Sequence, residues 1–226
     1  MSNLWTFGDS YTAEYLYDNN DSYTKYKEII GKEIETWPTI LSKRLNTKLK
    51  NLGKRGSGNS DIFENLINNI RNIETGDVVI IGWGLNSKFR IANGDQLMTL
   101  FPFGSYPNCE MTKDSLNLIS KNKENIIWNT EIYFYENIIE YISELKNFHV
   151  FFWNSEDPNL IYGLSNKSKK KYILSESNIG LVFYLKNLGA KTISDDTNNI
   201  INDNHFGEDG HDLQADCFYK HIKQFL

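Results

Sequence analysis

The chain has 226 residues, and 24 Lys and Arg stand against 29 Asp and Glu, for a formal net charge of -5. That balance excludes a basic footprint for nucleic acid, and a composition of 40% hydrophobic and 14% aromatic residues excludes disorder of the whole chain. Cys109 and Cys217 are the only cysteines, so neither a disulfide scaffold nor a four-thiolate zinc site is available.

The length suits one sizeable α/β domain over residues 1–226. No apolar run reaches the roughly 18 residues of a membrane span. Residues Leu4 to Phe7 form a short apolar strand that stops at Gly8-Asp9-Ser10. This start has no signal-peptide core, and a cytoplasmic or phage- or virus-associated protein is expected. A polar and aromatic loop follows over Tyr11 to Asp21, then a helix near Tyr23 to Ile34. A clearer helix begins at Trp37-Pro38, with Thr36 placed to cap it and Ile40, Leu41 and Leu45 on one face.

Leu49 to Leu52 read as a second strand, and the glycine-rich run Gly53 to Ser60 as a loop needing unusual dihedrals or close backbone approach. Ile62, Phe63, Leu66, Ile67 and Ile70 recur at helical spacing over Asp61 to Ile73. Val78 to Ile81 are β-branched and unalternating, as in a strand covered on both faces. Phe89 to Asn108 show no clean period and are expected as a long surface loop. Met111 to Leu145 are expected to be helical, and His149 to Trp153 form another strand. Asn154 to Ile179 mix turns with the basic run Lys167 to Lys171, read as a solvated loop. The last helix starts near Asp209 or Gly210 and runs to Ile222. Strands alternating with helices predict a largely parallel sheet in a three-layer α/β/α sandwich.

Four small motifs carry chemistry, each with an ordinary reading beside it. Ser10 follows the first strand, where ligands gather in open α/β sheets; it is a turn serine, or a nucleophile if a base activates it. Gly58 precedes a helix, as a turn glycine or as an N–H donor to an anion. Asn86, in Gly84-Leu85-Asn86, is a loop residue or a neutral donor to a developing oxyanion. Asp203 and His205 precede the last helix, and a carboxylate holding one imidazole nitrogen leaves the other free as a base. His211 reads as a helix-start or packing residue. A metal site of Asp203, His205, Asp209 and His211 is the alternative, although the H-E-x-x-H spacing is missing.

In their order these blocks resemble the SGNH, or GDSL-type, hydrolases: Phe7-Gly8-Asp9-Ser10, Ser57-Gly58-Asn59-Ser60, Gly84-Leu85-Asn86 and Asp203-Asn204-His205. The resemblance extends to Thr36-Trp37-Pro38 with Leu41 and to Gly210-His211. It covers about residues 4–90 and 200–222 and leaves a variable middle, 91–199. It implies a flavodoxin-like fold, Ser10 as nucleophile, His205 as base oriented by Asp203, and an oxyanion hole of the Ser10 and Gly58 N–H groups and the Asn86 side chain, with no cofactor. The fourth block departs from the usual Asp-x-x-His, since Asn202 stands three residues before His205. The usual Asn-Asp of the third block is Asn86-Ser87.

The expected activity is cleavage of an ester by acyl-serine chemistry, on a carbohydrate O-acetyl group or a small molecule. Phe89, Phe101, Phe103 and Tyr106 are read as ordinary packing or as a stacking surface for sugar. Two further classes stay open: a non-catalytic binding or virion-associated structural module, and a metal-dependent phosphoesterase.

Overall fold

The computed structural model of the protein describes residues 2–15, 22–84, 89–93, 96–100, 127–154, 171–173 and 180–226. In chain order its elements are β1 (Asn3–Phe7), α1 (Ser22–Ile30), α2 (Trp37–Leu45), β2 (Lys48–Asn51), α3 (Asn59–Asn69), β3 (Val78–Trp83), β4 (Phe89–Asn93), β5 (Gln96–Leu100), α4 (Ile127–Lys146), β6 (His149–Asn154), α5 (Leu181–Asn187), α6 (Ile193–Asp196) and α7 (Glu208–Ile222).

β1, β2, β3 and β6 form one parallel sheet in the order β2-β1-β3-β6. Side chains alternate across a strand, and here both faces are covered. Leu4, Val78, Ile80, Phe151 and Trp153 pack against Trp37 and Leu41 of α2, Leu181 and Leu185 of α5, and Phe218 and Ile222 of α7. Trp5, Phe7, Val79, Ile81, Trp83, Val150 and Phe152 meet Ile62 and Leu66 of α3 and Ile132 and Ile139 of α4 on the other face. The result is a mixed α/β fold with helices on both sides of a parallel sheet. Among the described residues no helix is long and apolar enough to cross a membrane.

The register of this sheet is locked at the end away from the strand carboxyl termini. Asp77, buried at the foot of β3, accepts the Asn3 backbone N–H at 2.7 Å, the Trp5 Nε1–H at 2.8 Å and the Glu74 N–H at 3.1 Å. Burial alone would raise its carboxyl, but these donors together hold it below the usual carboxylate range.

The structure departs from the sequence reading in several places. Thr36 stands at the start of α2 without a side-chain cap bond; its hydroxyl donates instead to Glu14 Oε2 at 2.8 Å. Strand β3 continues two residues past Ile81, through Gly82. A Cβ there would lie 2.4 Å from ring atoms of Trp153, so only glycine lets the neighbouring strand's indole cross. The first part of the expected surface loop is a hairpin: β4 and β5 pair antiparallel from Phe89↔Leu100 to Asn93↔Gln96. Phe101, Phe103, Tyr106 and most of the basic run lie outside the described residues.

Glu136, Glu140 and Ser143 interrupt the apolar face of α4. Glu136 is buried, and Trp83 Nε1–H donates to its Oε1 at 2.7 Å. The hydroxyl of Tyr172 donates to the same oxygen. Tyr172 lies beside β6 through a bridge to Phe152. Burial, with the charge of Glu140 added, pushes the Glu136 carboxyl up to about 8 against the lowering effect of the two donors.

The unfolded chain releases that proton near the ordinary value of 4.5. Between the two values the folded state holds a proton that the unfolded state has lost, so this group makes stability fall as pH rises. Glu136→Gln keeps an acceptor for both donors and does not titrate. Thermal unfolding from pH 5 to pH 9 should show the variant gaining on wild type up to about pH 8. Parallel curves would remove the carboxyl from the account.

Candidate active site

Beyond Phe7 the chain turns at once. The Thr12 and Ala13 N–H groups both donate to the Asp9 carbonyl at 3.0 Å, and the Asp9 side chain accepts the Tyr11 N–H at 3.1 Å. A Cβ on Gly8 would lie 2.2 Å from Thr12 Oγ1, so the turn closes only over glycine. Ser10 is left half-buried at the carboxyl edge of the sheet, with Asp9 buried beneath it.

Asp203 and His205 form the best-defined polar pair near that edge. His205 Nδ1 lies 2.6 Å from Asp203 Oδ1, which also accepts the His205 backbone N–H at 2.9 Å. Ser22, at the head of α1, donates its hydroxyl to Asp203 Oδ2 at 2.5 Å. Burial would raise the Asp203 carboxyl, but His205, Ser22 and the backbone donor bring it down to about 2. An ionised carboxylate only accepts, so in the neutral ring the proton sits on Nδ1 and Nε2 carries the lone pair. Nε2 is buried without a hydrogen-bond partner.

The segment bearing this pair is held by α6. Ser194 Oγ accepts the Asp203 N–H at 2.7 Å, and the Ile193 N–H donates to the His205 carbonyl at 2.9 Å. Tyr15 clamps the next residue, donating its hydroxyl to the Phe206 carbonyl at 2.6 Å. The structure therefore brings Asp203 and His205 together. The turn that bears Ser10 reaches this pair through Tyr11, whose ring lies 4.8 Å from the His205 ring, centroid to centroid. No hydrogen bond joins Ser10 to His205, and such contacts often close only with substrate bound.

The glycine block sits at the start of α3. Of its glycines, Gly56 takes the left-handed conformation, with φ 81°. The Gly58 N–H donates to Asp61 Oδ2 at 2.9 Å, so its donor is engaged by the helix's own first turn. Asn59, in the same block, was given no role by sequence. It is fully buried, and its Oδ1 accepts the Gly84 N–H at 2.8 Å. Asn86 lies outside the described residues.

His211 belongs to the packing. Its Nδ1 accepts the Trp37 N–H at 3.3 Å, satisfying a first-turn donor of α2. Burial, with the nearby His205, lowers it to about 3, so it is neutral. Asp209 is exposed on the first turn of α7 while His211 faces the core. Among the described residues no group of three or more His, Cys, Asp or Glu is arranged to hold a metal ion.

Sequence reasoning also missed Ser22 and the aromatic surround of His205. Tyr23 meets the His205 ring edge-on at 5.9 Å and stacks on Tyr15 at 3.9 Å. Arg55 lies over Tyr23, 4.7 Å from the ring centroid. The sequence of 11–26 is rich in tyrosine but lacks the periodicity that would have assigned a face, so nothing local pointed to His205.

No family model matches the chain, and no curated protein matches it. The solved structure of a candidate lipolytic protein of the G-D-S-L family from Desulfitobacterium hafniense DCB-2 is similar over 98% of this chain and 99% of that one, at 13% identity and a TM-score of 0.46. At that distance the likeness carries no residue-level correspondence.

The low value of Asp203 carries a stability consequence. Its folded-state carboxyl lies below the ordinary 3.8, so its contribution is present above that pH and is lost as pH falls towards 2. Asp203→Asn should lower stability by about 1.5–3 kcal/mol at pH 7, the range for hydrogen bonds to a charged group. Denaturant titrations should show that deficit shrinking between pH 5 and pH 3. A deficit independent of pH would mean that the carboxylate charge is not what holds the segment.

Proposed function

We propose that this protein is a serine esterase of the SGNH type, built on the flavodoxin-like variant of the α/β/α sandwich. The observation that carries the reading is the Asp203–His205 pair. An ionised carboxylate holds Nδ1 at 2.6 Å, and Nε2 is left without a partner beside the turn that bears Ser10. That is the arrangement a general base requires, with one nitrogen oriented and the other open to a proton.

In this reading His205 Nε2 takes the Ser10 hydroxyl proton as Oγ attacks the ester carbonyl. The oxyanion is met by the Ser10 N–H and the Asn86 amide, and by the Gly58 N–H once Asp61 releases it. Collapse expels the alcohol, protonated by His205, and leaves an acyl-serine. Water, deprotonated by His205, then attacks that ester and frees the acid and Ser10. The substrate is a short acyl ester on a sugar or other small molecule.

A fluorophosphonate probe should label wild-type protein at Ser10. Ser10→Ala should lose turnover of short acyl esters by on the order of 10⁴-fold or more while its unfolding curve stays close to wild type. His205→Ala should likewise abolish turnover of these esters. A protein that neither labels nor turns over any acetylated glycan, acyl ester or thioester would be the non-catalytic binding module instead.

A further inference from the structure

Asn59 sits at the first position of α3, on the loop side of the sheet, and is fully buried. Its partner is the Gly84 N–H at 2.8 Å. Because that group is a donor, the amide atom facing it is the oxygen, and the orientation of the whole amide follows. Nδ2 is then directed elsewhere, and it is buried without an acceptor.

Gly84 is where the parts of the proposed site converge. A Cβ on it would lie 3.2 Å from Asp9 Oδ2 and 3.3 Å from the Ser57 carbonyl. Asp9 directly precedes Ser10, Ser57 directly precedes Gly58, and Asn86 follows Gly84 by two residues. The Asn59–Gly84 bond thus ties the start of α3, with its Gly58 block, to the end of β3 beside the nucleophile turn.

Stability does not account for the side chain. A single amide–backbone bond contributes modestly, and a buried donor without an acceptor offsets it. Local rules broken without a gain in stability are expected where function sets the geometry.

We propose that Asn59 is a positioning residue for ester cleavage. Through Gly84 it sets the distance between the Ser10 turn and the Gly58 block at the start of α3. This rests on the serine-esterase reading. An error of about 1 Å in such a distance costs on the order of 10²-fold in rate.

The experiment compares Asn59→Leu, which removes the acceptor, with Asn59→Asp, which keeps an oxygen for Gly84 and suits a helix start. Rates are expressed per site labelled by a fluorophosphonate, so a misfolded fraction does not count. Asn59→Leu should lose about 10²-fold in kcat with KM within about 3-fold, and Asn59→Asp should stay within about 5-fold of wild type. Amide hydrogen exchange, read by NMR, should show Gly84 exchanging faster in Asn59→Leu but not in Asn59→Asp, with β3 still protected in both.

Wild-type kcat per labelled site in Asn59→Leu would overturn the proposal, as would an Asn59→Asp protein as slow as Asn59→Leu, or unchanged Gly84 exchange. Wild-type protein that does not label at Ser10 would sink the esterase reading itself. The exchange arm would then still decide whether Asn59 holds Gly84.

Discussion

The carboxylate of Asp77 sets the frame on which everything else is hung. It lies at the foot of β3 and takes donors from Asn3 and Trp5 of β1, so two strands that are 72 to 74 residues apart in the chain are fixed in one register. A slip of one residue would turn every side chain to the opposite face. Here both faces are apolar, and hydrophobicity alone discriminates poorly between registers. Trp5 would move from the face of α3 and α4 to that of α2 and α7, into a layer filled by Trp37, Trp153 and Phe218. A directional polar contact at one end of the sheet therefore determines which residues emerge at the other. Ser10 and Gly84 stand where they do because Leu4 pairs with Val78 and Phe7 with Ile81.

Two kinds of buried polar group stand out among the described residues. Those at the foot of the sheet and in the loops around α6 are satisfied several times over, as with Asp77 and with Thr192, which both donates to Asp195 and accepts from it. Those near the carboxyl edge are left incomplete: His205 Nε2 and Asn59 Nδ2 are buried without partners. Glu136 belongs to neither kind. It satisfies Trp83 and Tyr172 but raises its own carboxyl, and so ties the stability of β3, immediately before Gly84, to pH. Incomplete groups cost stability; others lie in the helices, as at Glu140 of α4 and Gln214 of α7, and the two at this edge stand beside the turn and the glycine block of the proposed site.

The sequence made the parallel sheet legible because β1, β3 and β6 are short, mostly apolar runs, and Val78 to Ile81 could not be mistaken for an alternating strand. Asp203 beside His205 was legible for the same local reason, since a single residue separates them and one turn can fold them together. What escaped reading was non-local or fell between patterns. The hairpin of β4 and β5 lay inside a stretch dismissed for lack of a period. Gly82 interrupts an apolar run, and only the indole of Trp153, far along the chain, explains it. Asp61, at the start of the helical stretch, engages the Gly58 N–H that the family resemblance assigns to the oxyanion.

The site also depends on contacts that no local pattern encodes. Ser22 and Asp203 are 181 residues apart, Tyr15 and Phe206 are 191 apart, and Tyr26 reaches Asp196 across 170. Each joins the first turns of the chain to its last segment. Closing such loops before the sheet exists costs chain entropy with little to offset it. Once β1 is paired, the segment around α1 is tethered to the sheet, and the same contacts become nearly local. The orientation of His205 is thus the last consequence of a register set at the far end of the sheet, which places the geometry of the base downstream of the whole fold.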